Sequence, residues 1–161
     1  MEQSTRKRNR LERYDYSQNG AYFITICTQN RKCLLSSIVG AIIDRPAYPQ
    51  LTAAGKKVEE AIMGIPEHYP DVYLEKYVIM PNHIHLLLRI DTLHGRSVIA
   101  PTISTMVRHM KGYATRSIGH NVFQKSFHDR VIRDDQEYQM VWQYIDNNPA
   151  LWEQDCFYTE E

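Results

Sequence analysis

The chain has 161 residues, a length typical of one domain, and 43% of them are hydrophobic, which is enough for a buried core. Basic and acidic residues number 19 each, so the net charge of zero carries no global signature of nucleic-acid binding. The cysteines are odd in number and show no C-x-x-C spacing, which argues against a disulfide framework and a cysteine zinc site.

The chain opens with a polar, basic segment that we interpret as an N-terminal arm over residues 1–20. Its basic residues are Arg6, Lys7, Arg8, Arg10 and Arg13. Such a cluster can bind the DNA backbone even in a neutral protein, although many charge runs are only solvated arms. No apolar run follows it as in a secretory signal, and none elsewhere reaches the about 20 residues of a membrane span. We therefore expect a cytoplasmic protein with no membrane partner.

The strands are predicted from runs of β-branched and aromatic residues. The predicted strands are Tyr22 to Cys27, a weaker one from Ile38 to Ile43, Val72 to Ile79, Ile84 to Ile90, and an extended stretch from Ser126 to Arg133. The run from Ile84 to Ile90 is almost continuously apolar, which indicates a central strand covered on both faces.

Three helices are predicted between and after these strands. The first spans Leu51 to Ile65 and is closed by Pro66, and the second carries an apolar stripe over residues 103–118. The third spans Asp134 to Asn148, with Asp134 and Glu137 as a capping box and Pro149 as a stop. The order of elements favours one α+β domain, an antiparallel sheet with helices packed on it, and a surface loop over residues 92–101.

The segment from Met80 to Leu88 holds the most informative pattern, a His-x-His pair. Residues two apart on a strand point to the same face, so His83 and His85 project together while Ile84 points away. Two imidazoles on a rigid strand are a suitable start for a divalent-metal site. The alternative is a pair of structural histidines bonded to backbone or water, and the pattern alone leaves both open.

The last predicted helix offers two further candidate groups. At 100° per residue Tyr138, Val141, Trp142 and Ile145 share the stripe that should pack on the sheet, with Tyr138 near its centre as a core residue. Tyr144 and Asn148 lie four apart along the edge of that stripe, where a hydroxyl can reach a cleft. The carbonyl oxygen of Asn148 is a hard ligand suited to Mg²⁺ or Mn²⁺, although Asn148 is equally reasonable as a helix terminator and Tyr144 as an interface tyrosine.

Taken together, these motifs resemble the single-tyrosine HUH transposases, particularly the REP-associated tyrosine transposases. The resemblance covers nearly the whole chain. It is carried by four stretches, namely residues 20–28 (GAYFITICT), residues 77–85 (YVIMPNHIH), residues 127–133 (FHDRVIR) and residues 144–149 (YIDNNP). Motifs in this order are more specific than any one of them.

The resemblance implies a ferredoxin-like, RRM-like fold of the HUH endonuclease type in a single transposase domain over residues 1–161, with residues 134–148 as the catalytic tyrosine helix. It implies that Tyr144 is the nucleophile and that His83, His85 and Asn148 bind a divalent metal, Mg²⁺ or Mn²⁺. The activity implied is metal-dependent nicking and joining of single-stranded DNA through a 5′-phosphotyrosine link, for DNA transposition or repeat mobilisation. The implied partner is single-stranded or hairpin DNA, with a homodimer as an open possibility.

DNA contacts are expected from the N-terminal arm and from Arg108, Lys111 and Arg116 on the second helix. His128, Asp129 and Arg130 precede the last helix and fit a structural salt bridge better than a role beside the site. Two rival functions stay open. One is a non-catalytic module of ferredoxin-like fold that binds single strands, and the other is a small metal-dependent hydrolase with no covalent step.

Overall fold

A computed structural model describes residues 18–40, 46–92 and 102–160 of the chain. Its centre is a four-stranded antiparallel sheet of β1 (Gly20–Cys27), β4 (Val72–Ile79), β5 (His83–Ile90) and β6 (His128–Ile132). The strand order is β4-β5-β1-β6, so the apolar β5 lies inside the sheet as predicted. The first strand begins at Gly20, which shortens the predicted arm by one residue.

A second, smaller sheet precedes the first helix and was only half predicted. It pairs β2 (Ser36–Val39) with β3 (Tyr48–Leu51). Of the strand predicted from Ile38 to Ile43, Ile38 and Val39 belong to β2, Gly40 lies beyond its end, and residues 41–43 lie outside the described residues. The second member was missed because it contains Pro49, and proline in a short run argues against a strand except at a sheet edge.

The helices are α1 (Ala53–His68), α2 (Ile103–Ile118) and α3 (Asp135–Asn147). Thr52, Thr102 and Asp134 cap their N-termini with side-chain oxygens that accept backbone N–H groups. In the capping box, Glu137 accepts from the N–H of Arg133 rather than from that of the cap residue itself. The prediction that Pro66 closes α1 was wrong: the helix runs on to His68, and the Tyr69 N–H still bonds to the Ile65 carbonyl.

The three helices cover both faces of the sheet and thereby confirm the α+β prediction. Buried residues of α1 and α2 join Ile84, Leu86 and Leu88 of β5 in the main core. On the other face, Val141 and Ile145 of α3 pack on Leu87 and on neighbours of β4. Tyr138 packs against this second core but is only partly buried, with its hydroxyl bonded to Glu75 at 3.2 Å near the sheet edge, so it lies at the margin of the core rather than near its centre. No helix in the described ranges is long and apolar enough to be a membrane span.

Candidate active site

His83 and His85 lie on the face of β5 that α3 covers. Both are buried, with exposed fractions of 0% and 1%, and their ring centroids are 4.6 Å apart. Strand β1 fixes this part of the sheet from the side, pairing Cys27 with His83 and Thr25 with His85. The alternation of the strand therefore places the two imidazoles side by side, as the sequence predicts.

A second layer of side chains orients each ring. The Nδ1 of His83 is 2.9 Å from the Oδ1 of Asn82, and the Nδ2 of Asn82 donates to the carbonyls of Arg31 and Phe157. Because Oδ1 only accepts, Nδ1 carries the proton and Nε2 keeps its lone pair. The Nδ1 of His85 is 2.8 Å from the Oγ1 of Thr25, and when this nitrogen carries the proton its Nε2 is likewise an acceptor.

Helix α3 brings Tyr144 and Asn148 to the same place. The ring of Tyr144 lies 5.2 Å from that of His85 and 5.9 Å from that of Phe23, both edge-on, and the residue is 42% exposed. Asn148 is the C-terminal cap of α3 and is 3% exposed. The phenol is therefore open to solvent while the amide faces inward.

Asp155 completes the cluster and is not among the site residues predicted from the sequence. Its Oδ2 accepts from the Nδ2 of Asn148 at 3.0 Å and lies 3.9 Å from the Nε2 of His83. Its Oδ1 accepts from the N–H of Phe157 at 2.8 Å. The carboxylate and the two imidazoles offer ligand atoms within 4.8 Å of one another. No spacing rule links Asp155 to the histidines, because a turn brings the chain back after the helix has ended.

The segment after α3 also covers the histidines with aromatic rings. The rings of Phe157 and Trp152 lie 4.6 Å and 6.0 Å from that of His83, and the guanidinium of Arg31 lies over Phe157 at 5.3 Å. These apolar neighbours exclude water from the His83 side, which strengthens electrostatic interactions there.

Burial dominates the protonation of both histidines. Desolvation lowers the pKa of His83 to about 4, although the Asp155 charge and the hydrogen bond that a protonated ring would donate to Asn148 raise it in part. Desolvation also lowers the pKa of His85 well below its ordinary value, and the neighbouring His83 adds to this effect. Both imidazoles are therefore neutral at pH 7, the form that binds metals.

The amide of Asn148 affects the pKa of Tyr144 and that of His83. Burial raises the pKa of Tyr144, the charges of Asp155 and Cys156 raise it further, and a hydrogen bond from Asn148 lowers it. With His83 neutral, its Nε2 and the Oδ1 of Asn148 are both acceptors and make no bond with each other. Protonation would turn Nε2 into a donor, which is why Asn148 raises the pKa of that ring.

Three buried acceptor atoms thus share this site without a donor. Within the described residues, the Nε2 of His83, the Nε2 of His85 and the Oδ1 of Asn148 have no hydrogen-bond partner. Buried polar atoms normally find partners, and three unpaired acceptors around one space are matched by a cation. The residues present therefore fit a divalent metal bound through two nitrogens and amide or carboxylate oxygen.

The candidate DNA-contacting cations fall into separate places. Arg108 and Arg116 are exposed on α2, whereas the Nζ of Lys111 donates to the carbonyl of Gln124 at 2.8 Å. Burial lowers the pKa of Lys111 to about 8. Its ammonium also donates to two further carbonyls of the loop before β6. The arm residues Arg6, Lys7, Arg8, Arg10 and Arg13 lie outside the described residues.

The open side of the site is the sheet surface over β1 and β6. Phe23 pairs with Arg130 and Thr25 with His128, so these side chains share the face of His85. Phe23 is half-buried, while His128 and Arg130 are exposed. Arg130 forms an ion pair with Glu137, which agrees with a structural salt bridge for Arg130, although the sequence did not identify Glu137 as the partner. This surface is an open strip that carries one aromatic and two basic side chains and begins beside Tyr144.

Comparisons with known proteins give relatives over most of the chain, although no family model matches it. An uncharacterised protein of Haemophilus influenzae is 33% identical over 175 aligned positions, covering 96% of this chain and 94% of that protein. Another protein of that organism, assigned as a REP-associated tyrosine transposase, is 26% identical and covers 86% of this chain and 74% of its own.

Two solved structures share the fold. A REP-associated tyrosine transposase bound to a REP hairpin superimposes with a TM-score of 0.64 at 22% identity, covering 88% of this chain and 73% of that one. A protein from Deinococcus radiodurans assigned as a transposase gives a TM-score of 0.50 at 18% identity, covering 86% of this chain and 95% of that one.

Proposed function

From its similarity to a protein assigned as a REP-associated tyrosine transposase and from the fold it shares with a solved structure of one, we propose that the chain belongs to that family and nicks and rejoins single-stranded DNA with Tyr144 as nucleophile. The observation that carries the proposal is the convergence described above. A solvent-accessible phenol lies edge-on to His85, at a site where three buried acceptor atoms lack a donor within the described residues. A non-catalytic binding module does not require a phenol beside such a cluster.

In this proposal His83, His85 and Asn148 hold a divalent cation, Mg²⁺ or Mn²⁺. Asp155 supports them, because its Oδ2 accepts a hydrogen bond from the Nδ2 of Asn148 and so orients the amide oxygen toward the imidazoles. Its carboxylate is also close enough to His83 to serve as a further oxygen ligand. A bound cation supplies Lewis-acid polarisation of the scissile phosphate and offsets its charge.

Tyr144 then attacks the phosphorus in line. A bond forms between its Oη and phosphorus, the bond to the 3′-oxygen breaks, the phenol loses its proton and the leaving 3′-oxygen gains one. The product is a 5′-phosphotyrosine ester and a free 3′-hydroxyl, and the ester conserves the bond for rejoining to another strand. Because the pKa of Tyr144 is raised, the resting phenol is neutral and must be activated as the substrate binds.

The DNA strand crosses the open strip of β1 and β6. Phe23 offers a half-buried ring beside Tyr144 on which a base next to the scissile phosphate can stack. His128 and Arg130 lie one strand further out on the same face, within the path of the backbone. The hairpin bound by the structural relative makes hairpin DNA the first substrate to test.

The deciding experiment compares the native chain with Tyr144→Phe on single-stranded and hairpin oligonucleotides in Mn²⁺. The native chain should give a covalent protein–DNA adduct that survives denaturing electrophoresis, and the variant should give none while still binding DNA and Mn²⁺. Tyr158→Phe is the matched control, since the ring of this tyrosine packs against Trp152 and makes no ring contact with an imidazole within the described residues. Cleavage that persists in Tyr144→Phe would indicate a hydrolase, and no cleavage by the native chain would indicate a binding module.

A further inference from the structure

A cavity of about 560 Å³ lies between α1 and α2, on the face of the sheet opposite the imidazoles. Ligand sites in proteins commonly have volumes in this range. Its floor is apolar and buried, formed by Ala61, Ile65, Met106 and Met110. The reaction proposed above makes no use of this cavity.

One wall of the cavity is aromatic. The rings of Tyr69 and His109 are nearly parallel, with 15° between their planes and 6.1 Å between centroids, and the Tyr69 hydroxyl is hydrogen-bonded to the Nδ1 of His109. The bond fixes the two rings relative to each other. The exposed ring of Tyr113 adds a third aromatic group at the rim.

The charged groups of the rim leave two guanidiniums available. Arg108 and Arg116 have no carboxylate at ion-pair distance in the part of the chain that the structure describes, unlike Arg89 and Arg130. Of the two carboxylates at the rim, that of Glu60 already bonds to Lys57 at 3.0 Å, which leaves Glu67. The unpaired charged groups at the cavity mouth are therefore two guanidiniums and one carboxylate, which leaves a net positive charge there.

Two helix glycines keep the cavity open. Gly64 of α1 and Gly112 of α2 both line it. If Gly64 carried a Cβ, the nearest atom apart from the backbone of its own helix would be in the His68 ring, at 3.8 Å. At Gly112 the nearest such atom is the flexible end of Arg116 at 3.4 Å. Glycine destabilises a helix interior relative to alanine, and neither position needs it for a close backbone approach. By contrast, a Cβ at Gly55 would collide with the Leu35 carbonyl.

We propose that this cavity binds one unpaired nucleotide, its base against the Tyr69–His109 wall and its phosphate on Arg108 and Arg116. An apolar floor and a flat aromatic wall suit a base, and unpaired guanidiniums suit a phosphate. Glu67 is placed to accept from an exocyclic amino group, which favours adenine or cytosine over thymine. The nucleotide can be a free monophosphate or an unpaired residue of bound DNA.

The test uses Gly64→Leu, which fills the cavity, and Gly64→Ala as its matched control. Two probes separate the sources: deoxyadenosine monophosphate, followed by NMR shifts of the Gly64 and Gly112 amides, and a DNA hairpin with one unpaired 2-aminopurine, followed by fluorescence quenching. We expect the native chain to bind at least one probe. Gly64→Ala should bind that probe equally well and have a Tm raised by roughly 2 °C, whereas Gly64→Leu should bind it at least tenfold more weakly. Gly64 lies outside the Tyr144 site, so adduct formation on an unstructured oligonucleotide should be unchanged.

Arg108→Ala and His109→Ala should each weaken binding of the same probe at least threefold, and His109→Phe should bind it as the native chain does. Lys56→Ala removes a charge outside the cavity and should have no effect on binding. Binding of the monophosphate alone assigns the site to a free nucleotide, and binding of the hairpin alone assigns it to DNA. If neither probe binds the native chain, or if Gly64→Leu binds both as tightly as the native chain does, the proposal is overturned. Because the monophosphate experiment does not depend on Tyr144, failure of the nicking reaction leaves it interpretable.

Discussion

The ring of Tyr144 meets the ring of His85 edge-on, with 5.2 Å between the centroids, and both belong to one chain. Helix α3 is held on its own sheet by the apolar contacts of Val141 and Ile145 and by an ion pair between Lys76 and Asp146 at 2.7 Å. The packing of α3 on its own sheet thus brings the phenol and the imidazoles of one chain together.

Removing one imidazole should weaken metal binding. We expect His85→Ala to bind Mn²⁺ at least tenfold more weakly than the native chain, because two nitrogens and one oxygen leave few spare ligands. Electron paramagnetic resonance of free Mn²⁺ measures the affinity directly. His120→Ala, an exposed histidine beyond α2, is the control. Equal affinities for the native chain and His85→Ala would remove the imidazoles from the metal site.

Thr25 should matter although it would not touch the metal. Its hydroxyl orients the His85 ring through the 2.8 Å bond to Nδ1, and loss of such a supporting bond typically lowers metal affinity by about 10-fold to 100-fold. Thr25→Val keeps the shape and should show this loss in Mn²⁺ titrations, whereas Thr25→Ser should keep most of the affinity. A Thr25→Val protein that binds Mn²⁺ normally would mean that packing alone holds the ring.

Asp155 should have two separable effects. Asp155→Ala frees the Asn148 amide and should weaken Mn²⁺ binding, and it removes a charge that raises the pKa of Tyr144. The pKa of Tyr144, read from the difference in ultraviolet titration between each protein and its Tyr144→Phe derivative, should therefore fall in the variant. Glu153→Ala controls for loss of a nearby exposed charge. An unchanged pKa would place the carboxylate too far from the phenol to act on it.

The buried histidines should make the metal-free protein sensitive to acid. Their pKa values are lowered on folding, so below pH 6.5 the unfolded chain binds protons that the folded chain does not. Stability should therefore fall as pH drops from 6.5 toward 4, by at most about 1.4 kcal/mol per pH unit for each histidine. Urea denaturation at pH 7 and pH 5 measures the loss, which His85→Gln should reduce. A native slope no steeper than that of the variant would contradict the prediction.

Phe23 should contribute to binding of the strand rather than to the metal. Phe23→Ala removes the ring beside Tyr144, and loss of one stacked base typically costs about 1–3 kcal/mol. We expect weaker binding of single-stranded DNA with Mn²⁺ affinity unchanged, measured by fluorescence anisotropy. Phe23→Trp should retain binding. Unaltered affinity in Phe23→Ala would place the strand on another surface.

Local patterns in the sequence were sufficient for most of the fold and for part of the site. The period of two on β5 places His83 beside His85, and the period of 3.6 on α3 separates the packed Val141 from the accessible Tyr144. Asp155 could not be predicted in this way, because its contact with His83 depends on how the chain turns after α3. The strand around Pro49 and the continuation of α1 past Pro66 were missed for a related reason: pairing and packing outweighed the local preference of proline.

The segment beyond α3 has a practical consequence for anyone who handles this chain. Asp155 accepts a hydrogen bond from the Asn148 amide, and the carbonyl of Phe157 accepts one from Asn82 behind His83, so residues 155–157 help to orient the candidate ligands although no recognisable motif marks them. A version shortened after the YIDNNP stretch would keep every signature residue but would lose the hydrogen bonds that orient Asn148 and Asn82.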